Sequence, residues 1–298
     1  MYNLKYELKR WVKNINWISL SANPNAIRLL EQNPDKIHWG NLSLNPNPNA
    51  IPLLEANLDK LNNYWSLSNN PNAIPLLEKN HDNILWDILS MNPNAIDLLE
   101  KNPDHIVWKY LSMNRNAIHL LEQNLDKINW TTLSGNPNAI HLLEQNPDKI
   151  DWATLSLNPN AIHLLEKNQD KINWGNLATN PNAIHLDLLE QNLDKINWFE
   201  LSRNPNAIPI LEKNQHKIVW EYLSINPNAI DLLEQNQDKI CWERLSSNPS
   251  IFEVYDYEAL KEQCDIYKEE LIQKAFHPSR IQKYLDMGIS IHELDNCI

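Results

Sequence analysis

Asn158-Pro159-Asn160-Ala161-Ile162-His163-Leu164-Leu165-Glu166-Lys167-Asn168-Gln169-Asp170-Lys171-Ile172-Asn173-Trp174-Gly175-Asn176-Leu177-Ala178-Thr179 is one copy of a 22-residue pattern that recurs along almost the whole 298-residue chain. A fixed period of this length means that each unit is one small supersecondary element, unable to close a core alone and stable only when stacked on its neighbours. The tryptophans keep the count: Trp17 and Trp39, then Trp86, Trp108, Trp130, Trp152 and Trp174, then Trp198, Trp220 and Trp242 follow at 22-residue intervals. Tyr64 takes the aromatic position in the remaining unit, with an extra Asn-Pro around Pro46 and one extra residue near Asn63. Eleven units result. Between Trp174 and Trp198 the pattern is two residues too long, because Leu186-Asp187 is inserted, and an insertion of this size is expected to bend the array locally without ending it.

Within a unit, Asn158 before Pro159 is a helix-start signal, since the Asn side chain can accept from free N–H groups and Pro fits the first helical position. Helix A is therefore expected from Pro159, with Ala161, Ile162, Leu164 and Leu165 on one apolar arc of about 160° and His163 on the opposite side. Asn168 suits a left-handed helix end, or a cap for the next helix. Helix B is expected from about Asp170. Its pattern is irregular, because Ile172 and Trp174 lie about 200° apart on a helical wheel. Either helix B has two opposed apolar faces, or Lys171-Ile172-Asn173 is extended and the helix begins at Trp174; the first reading is preferred. The scarcity of Val and the frequent Asn and Pro disfavour a β-solenoid.

The expected fold is all-α: an α-solenoid of about eleven two-helix repeats (residues 15–249) between an N-terminal helical cap (1–14) and a C-terminal helical cap (250–298). Helix pairs about 8–10 Å apart would make a curved rod on the order of 100 Å long. Of the 18 Pro, most occupy the second repeat position and act as punctuation, and 42% apolar residues with 12 Trp supply a core. Cys241, Cys264 and Cys297 are odd in number, with no metal-ligand spacing, which points to a reducing compartment. No apolar run suggests a signal peptide or membrane span, so a cytoplasmic protein without membrane attachment is expected. Asn41-Leu42-Ser43 and Asn129-Trp130-Thr131 match glycosylation acceptors but carry no weight in so Asn-rich a chain.

The repeat Asn-Pro-Asn-Ala-Ile-x-Leu-Leu-Glu-x-Asn-x-Asp-Lys-Ile-x-Trp-x-x-Leu-Ser, with the tail His277-Pro278-Ser279-Arg280, resembles the tandem-repeat proteins encoded in large numbers by giant DNA viruses of amoebae. The resemblance covers nearly the whole chain and implies a virus-encoded α-solenoid acting in an infected cell; it supplies no activity and no catalytic residue. Tyr64 for Trp, Arg115 for Pro, His216 for Asp and the Leu186-Asp187 insertion depart from the pattern and bear on local geometry.

No catalytic, cofactor-binding or metal-binding residue is assigned, and the protein is not read as an enzyme. His119, His141, His163 and His185 hold the same position in consecutive units, but successive side chains start about 8–10 Å apart, too far to converge on one zinc. Rows such as Glu144, Asp148 and Lys149 repeat from unit to unit, whereas an active site needs a unique constellation. A net charge of −12 opposes nucleic-acid binding. The Trp row reads as core. Variation concentrates in the two residues after each Trp, where Lys109, Tyr110, Thr132, Thr154, Asn176, Phe199, Glu200, Glu221 and Tyr222 are candidates for protein binding; Tyr, Phe and Trp are frequent interface anchors. The expected function is a scaffold for protein–protein interaction, with a partner of unknown identity and a monomer compatible with the role. A self-assembling structural role is the alternative.

Overall fold

The computed structural model describes residues 4–61, 64–183, 187–256, 277 and 282. They are mostly helical, in short elements that repeat with the sequence. The chain divides into two compact units. Residues 8–252 hold the repeats. Residues 1–7 and 253–298 form the other unit, which holds most of a two-stranded sheet of β1 (Leu4–Leu8) and β2 (Phe252–Asp256). The N-terminal segment expected as a helical cap is thus a strand at Leu4–Leu8. Its alternating apolar pattern, Leu4, Tyr6 and Leu8, fits the two-residue period of a strand as well as a helix. The C-terminal segment 250–298, expected as a helical cap, likewise contains a strand at Phe252–Asp256, and its expected helix over 257–274 lies outside the described residues, as do Cys264 and Cys297.

In the quoted unit the Asn158 carboxamide oxygen accepts from Asn160 N at 3.0 Å, which folds Pro159-Asn160-Ala161 into a tight turn. Helix A is therefore shorter than the pattern predicts and runs over Ile162–Lys167. Asn168 ends it, but not in a left-handed conformation: its φ is −134°, and its Nδ2 donates to Leu164 O at 2.9 Å. A single 3-10 turn follows at Gln169–Lys171, then Ile172 is extended with ψ 128°. Helix B proper is Trp174–Leu177, capped by Asn173 accepting from Asn176 N. The extended reading of Ile172 is correct, for the reason that made the wheel irregular. Breaking the helix lets Ile172 enter the core, where it is 8% exposed, while the Trp174 ring takes a different direction.

The core is a continuous column of Ala161, Leu165, Ile172 and Leu177 and their equivalents. The Trp rings are only half-buried and flank this column, contrary to the expectation that they form the core itself. Polar bonds join the units at every step. Asn158 Nδ2 donates to both Ser134 O and Asn136 O of the preceding unit, each at 3.0 Å, and Asn160 Nδ2 donates to Pro137 O at 2.8 Å. Ser156 Oγ donates to Trp152 O in its own unit and accepts from Asn173 N in the next.

This ladder does not stop at the ends of the repeat array. Asn23 Nδ2, in the first unit, donates to Ser246 O at 3.1 Å and to Asn248 O at 2.9 Å in the last. Asn25 Nδ2 reaches Pro249 O, and Asn16 N donates to Ser246 Oγ. These are the bonds by which internal units join, made between the ends of the array. The repeats therefore form a closed ring rather than a curved rod. The eleventh unit is composite: Asn248-Pro249-Ser250-Ile251-Phe252 supplies its opening turn and residues 9–22 supply its helix B, with Lys9 N bonded to Ile251 O across the join. Open ends needing a cap, the premise of the cap expectation, are absent from the ring because each end of the array covers the other.

Departures from the pattern are absorbed without breaking a step. Asn70 Nδ2 still spans to Ser43 O and Asn45 O although the intervening unit is longer. Arg115 replaces Pro, yet its carbonyl still accepts from Asn138 Nδ2, since only the backbone is used. His185 and Leu186 lie outside the described residues; beyond them Asn204 Nδ2 meets Ala178 O and Asn180 O as usual. Ala178 stands where other units have the bridging Ser, so this step lacks the hydroxyl bond next to the insertion.

Candidate interaction surface

Helix B carries Trp, Leu and Ser on its buried side, so at 100° per residue the first, second and fifth residues after Trp share the opposite face. The second residue is half-buried and stitches units together. Thr132 Oγ1 donates to Lys109 O at 2.9 Å, Asn176 Nδ2 to Ala153 O at 2.9 Å and Asn41 Nδ2 to Ile18 O at 2.7 Å. Thr154 is packed similarly: a Cβ placed on Gly135 would meet its methyl at 3.0 Å, so Gly135 makes the room. Three of the candidate residues, Thr132, Thr154 and Asn176, are thus committed to the ring itself.

The remaining candidates gather in two places. Lys109 is exposed, with Nζ 5.8 Å from the centre of the adjacent Tyr110 ring. Across three consecutive units Phe199 and Tyr222 pack with ring centres 3.6 Å apart, and the Arg244 guanidinium lies 4.5 Å from the Tyr222 centre. Arg244 Nε donates to Glu221 Oε1 at 2.8 Å, and this bond raises its pKa above the ordinary value. Glu200 Oε2 is enclosed without a hydrogen-bond donor; Arg203 Nη1 is 3.6 Å away, an ion pair too long for a hydrogen bond.

A row that sequence reading passed over completes the face. The fifth residue after Trp is Leu44, Met91, Met113, Leu157 or Ile225 in five of the units, and Leu44, Met113 and Leu157 are exposed. Its signal was the large apolar residue that follows the Ser in these five units, hidden because the helical face was drawn only as far as Ser. Of the nine large exposed apolar side chains among the described residues, six lie in the first-residue and fifth-residue rows: Ile18, Leu44, Trp65, Met113, Leu157 and Phe199. The three rows carry Asp87, Glu200, Glu221 and Glu243 against Lys109, Arg203 and Arg244, so this face is close to neutral while the charge of −12 resides elsewhere.

The histidine row on helix A pairs with glutamates instead of with itself. His119, His141 and His163 each place Nε2 within 2.8 to 3.0 Å of Glu100, Glu122 and Glu144 of the preceding unit. Among the described residues no group of three or more potential metal ligands gathers, and no helix is long and apolar enough to cross a membrane. Compared with known protein families, curated proteins and solved structures, the chain matches none.

Proposed function

We propose that this chain is a non-enzymatic repeat scaffold that binds another protein through the exposed face of its B helices, and that it is a viral protein working in the cytoplasm of an infected host cell. The observation that carries the binding reading is that six of the nine large exposed apolar side chains among the described residues fall on that one near-neutral face, a concentration that single scattered surface residues do not produce. Tyr222 adds an aromatic anchor of the kind that dominates binding energies, with Phe199 packed on it and Lys109 exposed on the same helix face. The viral setting rests on the repeat's resemblance alone. Affinity capture from infected cells tests the reading: a partner held by the wild type is expected to be lost with Leu157→Asp and Phe199→Asp and kept with His141→Asp. Retention by all three variants would overturn it.

The alternative is self-assembly. Ring closure leaves no open repeat end through which copies could add, and in this reading copies meet through the A helices. Light scattering that shows mass rising with concentration would favour this second reading.

A further inference from the structure

The exposed face of the B helices has a direction within the ring. Adjacent B helices and Asn-Pro-Asn turns approach closely in backbone, so that short groups such as Ser156 Oγ, Thr132 Oγ1 and Asn158 Nδ2 bond directly to the neighbour's main chain, beside the longer pairs Phe199–Tyr222 and Arg244–Glu221. Adjacent A helices are joined, among the described residues, by pairs of long side chains: His119 with Glu100, Lys79 with Glu55, Lys213 with Glu190. In a closed ring the gap between equivalent points grows with distance from the axis, so the short seams lie inside the long ones. The B helices then form the inner circle, and the face turned away from the core lines the opening. Eleven helices spaced about 8 Å apart put their axes on a circle about 28 Å across, and a helix thickness of about 10–12 Å leaves an opening on the order of 15–20 Å.

We infer that this opening encircles a single polypeptide segment, no wider than one α-helix, whose side chains are uncharged and largely apolar. This deepens the protein-binding reading above and rests on it. The width admits one helix of about 10–12 Å with its contacts and excludes a folded domain. Ile18, Leu44, Trp65, Met113, Leu157 and Phe199 are distributed around the circle, so apolar contact is offered on several sides. The lining cannot hold a phosphate backbone well: Arg203 and Arg244 are already beside Glu200 and Glu221, and the net charge of the three rows is close to zero. A strongly charged peptide would lose hydration there without gaining partners.

A phage-displayed library of random 16-residue peptides, panned on the full chain, supplies the probe. Selected peptides are expected to be apolar and uncharged, and to lose at least tenfold in affinity on Leu157→Asp and on Thr131→Asp, an exposed position where folding is not at stake, but not on His141→Asp. Encirclement is then read kinetically. The same peptide fused between two folded domains is expected to associate at least a hundredfold more slowly than with one free end. Equal rates would overturn encirclement while leaving binding by this face intact. Peptides that respond only to His141→Asp, or a library that yields no binder, would overturn both.

Discussion

A buried asparagine has two N–H groups to donate and a carbonyl to accept, and Asn158 uses all three: two carbonyls of the preceding unit and the N–H of its own turn. Side chains at this position are at most 2% exposed, so water cannot replace a lost partner. Asn158→Ala removes three bonds worth about 1 kcal/mol each, a loss of about 3 kcal/mol. Asn158→Asp is expected to cost more, because an ionised carboxylate has no hydrogen to give and would face two carbonyl oxygens in a dry site. Urea denaturation of the two variants checks the order; an Asp variant as stable as wild type would show that the donors are not what the position needs. The Trp row is a second case. Lys149 Nζ lies 4.5 Å from the centre of the Trp130 ring of the preceding unit, and the same lysine covers most of the other Trp rings. Where that lysine becomes His105, the His ring stacks on Trp86 at 4.4 Å, and where it becomes Asn83 the aromatic is Tyr64. Because Trp130 is half-buried, Trp130→Ala should fall below the roughly 3–5 kcal/mol of a fully buried tryptophan. Lys149→Ala should cost about 0.5–1 kcal/mol. A double-mutant cycle with no coupling between the two would refute the contact.

At the scale of elements, no α-helix among the described residues exceeds six residues, at most half the roughly 12–15 residues at which an isolated helix becomes marginal in water. Helicity here is a product of stacking, so a two-unit fragment of residues 136–179 is expected to show little helical circular dichroism while the full chain is strongly helical. A fragment with native-like ellipticity per residue would mean that local propensity suffices. The same dependence explains what could be read in advance. Period, helical class and the amphipathic face of Ile162, Leu164 and Leu165 follow from local pattern, and so does the conflict between Ile172 and Trp174. Whether Asn158 starts a helix or bridges units was not legible, because both uses ask for the same small polar side chain and only the neighbouring unit decides. The variable pair after Trp lies on the side of helix B turned away from the core, yet Thr132 and Asn176 are stitches whose acceptors are carbonyls 23 residues away. Closure was invisible for a related reason: the residues that join the ends, Asn23, Ser246 and Asn248, are ordinary members of the repeat.

For the whole ring, one step differs from the other ten in what tethers it. Neighbouring Asn residues such as Asn136 and Asn158 are 22 residues apart, whereas Asn23 and Asn248 are joined only through 225 residues. An open solenoid can fray from either end, each unit depending on its neighbours alone. A closed ring has no end until the seam parts, so its first opening should be located there. Asn23→Ala and Asn158→Ala delete equivalent bonds and serve as the comparison. Removing them at Asn158 leaves the flanking units covalently adjacent, and the urea transition should shift to a lower midpoint with its slope preserved. Removing them at Asn23 converts ring to open array, and the transition should broaden, with a smaller m-value and with amide exchange accelerated first in units beside residues 16–25 and 246–252. Identical slopes and exchange patterns for the two variants would mean that the seam does not control unfolding, and that the array behaves as an open solenoid whose ends happen to touch.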